Sequence, residues 1–294
     1  MTTAPSSSPW IDWGGEGPVL HLGHANGFPP ESYAKLIDAL KGSFHVVSLP
    51  ARPLWPGPND PATLDSWMTL ADDLVVELER RGLSGIYGWG HSLGGVVTLL
   101  AAAKKPQLFR AIVAVDPVLF TGAFAATWGL LQRLGLAHTT PIVKSALRRR
   151  ELYDSAEQVR SRLQTKPLFA RTDPDCLDDY IRGAFRPLVS GKLTLRYTKA
   201  WEARIFATTP HSVWKSLRQL EIPVLFLRGQ DSDTFSARAL ARVNREVRQS
   251  TCVELVGTTH LLPLEQPLAV AVHTRDFLTS AVASGRPDLR SHRR

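Results

Sequence analysis

Ser92 stands in the pentapeptide Gly90-His91-Ser92-Leu93-Gly94, and a serine with glycines two residues to either side is a group placed to attack a carbonyl carbon. The apolar run Ile86-Tyr87-Gly88-Trp89 before it reads as a short buried strand. Val96 to Ala103 after it reads as a helix with no breaker until Pro106. A strand that turns at once into a helix at Gly-x-Ser-x-Gly lifts the hydroxyl clear of the backbone. It also aims the first free N–H groups of the helix at the place where an oxyanion would form. So tight a turn leaves no room for side chains beside it, hence the glycines. A bare match of this kind arises by chance in roughly one chain of this length in ten, so the chemistry needs partners elsewhere.

A serine hydroxyl becomes an effective nucleophile when a base takes its proton and a third group orients that base. For this kind of turn the chain order is serine, acid, histidine. Ile222 to Leu227 reads as a strand that ends in Arg228-Gly229-Gln230-Asp231-Ser232-Asp233. Two carboxylates thus stand just past a strand end, where loops gather at the binding edge of an open α/β sheet. Thr251 to Val256 reads as a further strand, followed by Gly257-Thr258-Thr259-His260 ahead of a helix beginning near Pro267. Asp116, after the strand Ala111 to Val115, is a third acidic candidate, read as capping the segment behind Pro117.

An oxyanion would need a second donor besides the N–H of Leu93. The strand Val19 to Leu22 runs into His24-Ala25-Asn26-Gly27-Phe28, a loop whose residues allow unusual backbone angles. Asn26 is the expected donor, with Phe28 next, and His24 is expected to brace the loop. Phe28, His91 and Trp128 are the candidate substrate contacts, although His91 also reads as a packing neighbour of the nucleophile.

These segments resemble the α/β-hydrolase fold superfamily, in its bacterial serine-esterase-like branch. The resemblance rests on the His-x-Asn-Gly-Phe loop at 24–28, the serine turn at 90–94, Arg-Gly-x-x-Ser-Asp at 228–233, Gly-x-x-His at 257–260 and Glu265-Gln266-Pro267. It spans residues 10 to 282. Ala25 replaces a more usual glycine, and Leu49-Pro50-Ala51-Arg52-Pro53 replaces an Asp-x-Arg-Gly turn. In the family the carboxylate follows the strand-ending glycine by three or four residues, which from Gly229 gives Ser232 or Asp233. The implied triad is Ser92, Asp233 and His260, with Asp231 and Asp116 as alternatives. The implied activity is hydrolysis of a small carboxylic ester with an apolar acyl or aryl group, through an acyl-enzyme and without a cofactor. The same residues would serve a lactonase, amidase, carbon–carbon hydrolase, acyltransferase or perhydrolase, and a non-catalytic binding protein could share the fold.

Strands near 10–13, 18–22, 44–49, 85–89, 111–115, 223–228 and 251–256 alternate with helical runs near 31–41, 63–81, 93–104, 236–247 and 267–282. Such alternation predicts an α/β fold with a mostly parallel, doubly wound sheet. Residues 118–218 break the pattern, with helix-like pieces and no clear core strand. They predict a helical cap inserted between core segments 1–117 and 219–282. Its aromatics Trp128, Trp201, Trp214, Phe120, Phe124, Phe169 and Phe185 are candidates for an apolar pocket or for the cap's own packing. The uncharged run from Pro117 to Gln132 reads as a buried helix pair or as a lid over the site.

The 294 residues carry a net charge of +8 and are 44% hydrophobic, a composition that forms a substantial core and excludes the disordered class. Residues 118–218 hold seventeen Lys and Arg against eight Asp and Glu, and 283–294 hold four Arg against one Asp. The cap is therefore basic, and the tail is expected to be basic and unstructured. No recognisable nucleic-acid module accompanies the charge. Cys176 and Cys252 stand far apart, and no pair of histidines has ligand spacing, so neither a disulfide framework nor a metal site is expected. No membrane span is read from the sequence, and Met1 to Pro9 lacks signal-peptide character, which favours a cytoplasmic protein. Oligomeric state has no signature in the sequence.

Overall fold

Strands with side chains buried on both faces need helices on both sides, and that requirement shapes the molecule. The computed structural model describes residues 8–57 and 59–283; of the tail expected over 283–294, all but the first residue lie outside the described residues. In chain order the strands are β1 (Ile11–Gly14), β2 (Val19–Gly23), β3 (His45–Ser48), β4 (Ile86–His91), β5 (Phe109–Val115), β6 (Leu152–Tyr153), β7 (Phe185–Pro187), β8 (Leu193–Leu195), β9 (Val224–Gly229) and β10 (Ser250–Leu255). Seven of them form one sheet in the order β1-β3-β2-β4-β5-β9-β10. β1 runs antiparallel to β3, and the other neighbours are parallel.

Helices α1 (Ala34–Leu40), α2 (Trp67–Arg80) and α3 (Leu93–Lys104) connect the early strands. The alternation of β5 shows how the two faces divide. Ala111, Val113 and Val115 belong to a core with Leu36, Ile37 and Leu40 of α1. Ile112 and Ala114 belong to a second core with Leu70 and Leu74 of α2 and Val96, Leu99 and Leu100 of α3. Ser66 caps α2, its hydroxyl accepting from the Met68 N–H. The chain passes from β2 outward to β3, then returns to place β4 on the other side of β2. That reversal opens a crevice at the carboxyl ends of β2 and β4, the position where open α/β sheets bind ligands.

Between β5 and β9 lie α4 (Gly122–Arg133), α5 (Pro141–Leu147), α6 (Ala156–Gln164), α7 (Pro174–Ala184), α8 (Lys199–Ala207) and α9 (Trp214–Arg218). The expectation of a purely helical insertion needs correction, because β6, β8 and β7 form a small antiparallel sheet within it. Strands of two or three residues are too short to show a period of two. Nor is 117–132 a buried helix pair. It contains one helix, α4, buried at Trp128 and Gly129 and exposed at Phe124 and Leu130.

The insertion packs mainly into the two sheet cores. Tyr153, Phe169, Tyr180 and Phe185 join the α1 side, and Tyr197, Trp201, Ile205 and Trp214 join the α2–α3 side. Indole N–H groups pin it in place: Trp67 donates to Ile205 O at 2.9 Å and Trp201 to Asn59 O at 3.1 Å, while Trp214 donates to Phe120 O at 2.8 Å within the insertion. The chain then closes with α10 (Ala237–Glu246), α11 (Leu262–Glu265) and α12 (Pro267–Ala283). α10 contributes Ala239 and Val243 to the α2–α3 side, and α12 contributes Val270 and Leu278 to the α1 side.

The first turn of α3 approaches β2 so closely that a Cβ on Gly94 would lie 2.2 Å from the carbonyl oxygen of Gly23. Both groups are backbone and neither can swing aside. Gly94→Ala should therefore lower unfolding stability by at least about 2 kcal/mol. Gly42→Ala, which meets open space, should stay within about 0.5 kcal/mol of wild type. Urea unfolding of the two variants checks this; equal stabilities would contradict the close approach.

Candidate active site

Ser92 is the turn between β4 and α3. It adopts φ 53° and ψ −112°, a left-handed backbone that a non-glycine residue holds at some cost. Its N–H is anchored to Val115 O at 2.9 Å. Space forces the glycines beside it: a Cβ on Gly90 would meet the Gly94 carbonyl at 2.4 Å. Leu93 opens α3, so its N–H has no acceptor within the helix and points out of the N-terminus with the positive end of the dipole. The loop after β2 stands alongside, since Gly23 pairs with Gly90 across the sheet.

His260 enters from the loop after β10. Its Nε2 lies 3.1 Å from Ser92 Oγ, and its Nδ1 lies 2.7 Å from Asp116 Oδ2. Asp116 is fully buried at the end of β5 and also takes a left-handed backbone, φ 43°. Its Oδ1 accepts from the Gly229 N–H at 3.1 Å, and its Oδ2 accepts from the Ser232 hydroxyl at 2.5 Å. Ser232 Oγ itself accepts from the N–H groups of Thr234 and Phe235, so its proton is directed to the carboxylate. With Asp116 accepting on every side, the imidazole hydrogen sits on Nδ1 and the Nε2 lone pair faces the serine hydroxyl.

This geometry corrects the acid read from the sequence. Asp233 is exposed, with a side-chain hydrogen bond to Thr234 Oγ1 at 3.2 Å. Asp231 is exposed and paired with Arg171 at 2.5 Å. The turn after β9 directs Ser232 inward and leaves the carboxylates on either side facing out. The count from Gly229 thus finds the right place but not the charge, which comes from the neighbouring strand. The available signal was an aspartate directly after the apolar run Ala111 to Val115, beside the strand whose turn was already suspect.

The loop at 24–28 is held by two side chains. His24 Nδ1–H donates to Ala25 O at 2.8 Å, and its Nε2 accepts from the Ala51 N–H at 2.9 Å. The Ala25 N–H donates to Tyr33 Oη at 3.1 Å. Asn26 donates through Nδ2 to Glu202 O at 3.1 Å, which joins the loop to α8. Phe28 lies against cap aromatics, 4.9 Å from Tyr180 and 6.0 Å from Phe169 by ring centroid.

His91 and Trp128 are corrected as substrate contacts. His91 is fully buried, with Nδ1 2.9 Å from Tyr33 Oη and Nε2 2.8 Å from the carbonyl oxygen of His260. A carbonyl only accepts, so Nε2 carries the hydrogen and Nδ1 accepts from the tyrosine. Sequence reasoning missed Tyr33, which nothing local marks out. Trp128 donates to Thr209 O at 2.8 Å and packs on Phe120 and Phe124, closing α4 onto the segment before α9.

Burial governs the remaining titratable groups. It lowers the His21 imidazole to about 3 and also depresses His24 and His91, the last with a further push from His260. Burial raises the thiols of Cys176 to about 12 and Cys252 to about 11, which keeps both protonated near neutrality. Among the described residues no three His, Cys, Asp or Glu side chains are grouped to hold a metal ion.

The model of the Alpha/beta hydrolase family matches residues 19–273. The uncharacterized hydrolase YugF of Bacillus subtilis is 23% identical over 84% of this chain and 85% of its own length. The 2-(acetamidomethylene)succinate hydrolase of Mesorhizobium japonicum is 25% identical over 84% and 82%. A crystal structure of E-2-(acetamidomethylene)succinate hydrolase superposes with a TM-score of 0.74 at 22% identity, covering 92% of this chain and 94% of that one.

Below about pH 6.5 the unfolded chain protonates its histidines while the three buried ones resist, so the unfolded state binds more protons and stability is lost as the pH is lowered. His21 alone should remove about 2 kcal/mol between pH 7 and pH 5. Urea unfolding at both values should show at least that loss; a flat profile would refute neutral burial.

Proposed function

The chain belongs to the alpha/beta hydrolase family, and from that premise we propose that it is a serine hydrolase cleaving carboxylic esters of small molecules. The observation that carries the reading is the continuous line from Ser92 Oγ through both nitrogens of His260 to Asp116, at 3.1 and 2.7 Å. Ser92 attacks the carbonyl carbon while His260 Nε2 takes its proton. Asp116 holds the imidazole in the required tautomer and stabilises the imidazolium that forms. The N–H groups of Leu93 and Asn26 receive the oxyanion. His260 then returns the proton to the leaving alcohol, and water repeats the sequence on the acyl-enzyme to release the acid. The triad acid in this reading is Asp116 in place of Asp233.

Tyr33 and His91 act as positioning residues. Their hydrogen bonds join the backbone just before Asn26 to the backbone of His260, so they set the oxyanion loop and the base relative to one another. The cap aromatics near Phe28 supply an apolar wall suited to acyl or aryl groups. A non-catalytic role on the same fold leaves the strained Ser92 backbone without a purpose. The complete proton path weighs against it as well.

A fluorophosphonate should label the wild-type protein covalently and fail to label Ser92→Ala. On a p-nitrophenyl ester, Asp116→Asn should reduce kcat by about 10³- to 10⁴-fold. Asp233→Asn should stay within about twofold. Loss of activity in Asp233→Asn with Asp116→Asn still active would overturn the assignment, and absence of labelling in folded wild type would overturn the enzyme reading. Tyr33→Phe should lower kcat about tenfold or more with little change in KM; a change confined to KM would show that the tyrosine does not position the reacting groups.

A further inference from the structure

Residues 117–150, the first part of the insertion after β5, contain no Asp or Glu and five Lys or Arg. Arg149 is turned inward, paired with Glu202 at 2.6 Å. Arg133, Lys144, Arg148 and Arg150 are exposed. Arg150 hydrogen-bonds Leu152 O and Gln158 and stands near Asp154. Among the described residues, Arg133, Lys144 and Arg148 make no ion pair.

The same stretch exposes large apolar side chains. Phe124, Leu130 and Leu134 are 59%, 55% and 60% exposed, and Leu136, Ile142 and Leu147 are 41–47% exposed. A helix on a protein surface normally turns its polar side to water. α4 does the reverse: Ala123, Phe124, Ala126, Thr127 and Leu130 face out with no charge before Arg133. The turn at Ala137–Thr139 touches both α4 and α5, so the two helices are neighbours along this stretch.

We propose that this surface, α4 with α5, docks the protein peripherally on an anionic lipid bilayer. Apolar side chains set among unpaired cations are the makeup of a helix that lies in a lipid interface. Anionic headgroups supply the negative charge that the stretch itself lacks. A second copy fits poorly, because a two-fold contact would bring Arg133, Lys144 and Arg148 against their own equivalents with no carboxylate between them. Among the described residues no helix is long and apolar enough to cross a membrane, so the contact is with the surface. The proposal is independent of the catalytic assignment.

The test is co-sedimentation of the full chain with phosphatidylcholine vesicles, with and without phosphatidylglycerol. Partitioning should be at least about tenfold greater on the anionic vesicles and should weaken between about 0.1 M and 0.5 M NaCl. In Leu130→Glu/Ile142→Glu it should fall by about tenfold or more, while p-nitrophenyl acetate hydrolysis and thermal melting stay at wild-type values. Equal binding to neutral and anionic vesicles, or binding unaffected by the double variant, would overturn the proposal. So would a wild-type dimer in sedimentation equilibrium that the same variant dissociates, since that result would assign the surface to a second copy.

Discussion

A carboxylate taken fully out of water must be surrounded by donors, and Asp116 is the point at which this molecule meets that demand. Its donors come from three places: the end of β9 through the Gly229 N–H, the turn after β9 through Ser232, and the loop after β10 through His260. Withdrawing any of them leaves a buried charge short of a partner. The carboxylate therefore fixes the relative positions of β5, β9 and the histidine loop as well as the imidazole tautomer. Its left-handed backbone, φ 43°, matches that of Ser92, φ 53°, on the adjacent strand. Positive φ is uncommon outside glycine, although aspartate adopts it more readily than most residues, and both side chains meet the same imidazole.

The parts of the site carried by local sequence were legible. Gly90 to Gly94 marks the serine turn because the glycines answer a steric need that any such turn has. His260 could be read because it follows a strand and a flexible Gly257. The acid was misplaced because its choice depends on which strands are neighbours. Asp116 and Ser232 are 116 residues apart, and only the pairing of β5 with β9 brings them within 2.5 Å. Tyr33 was hidden for the same reason, lying 58 residues from His91. The sheet strands were visible from their apolar runs, whereas β6 to β8 are too short to give a pattern and owe their form to mutual pairing.

Reading 118–218 as a unit inserted between core strands describes the chain's path but not its packing. Phe169 and Tyr180 lie in the same core as Val113 and Leu225, and Trp201 and Ile205 in the same core as Leu99 and Phe226. A separate small cluster, Val143, Ala146 and Ala203, stands apart from both. The indoles that sequence patterning offered as pocket lining donate instead to backbone carbonyls. Aromatic residues with one polar atom serve this purpose well, since they bury a large apolar surface and still satisfy a carbonyl. The insertion and sheet consequently share two cores, with Asn26 Nδ2 to Glu202 O tying the insertion to the edge of the site.

The histidine next to the nucleophile imposes a further constraint. The ring centroids of His91 and His260 are 4.9 Å apart, close enough that two imidazolium charges would repel strongly in a buried setting. If His260 is to accept a proton from Ser92, His91 has to remain neutral, and its surroundings ensure this. Burial lowers its proton affinity, Tyr33 occupies Nδ1 as a donor, and the carbonyl of His260 claims the hydrogen on Nε2. Tyr33 is in turn committed, because the Ala25 N–H can only donate to it. Each hydrogen in the line from Ala25 to His260 therefore has one available direction. The loop at 24–28, the end of β4 and the loop of His260 thus share a single hydrogen-bond arrangement, and a second charge has no place in it.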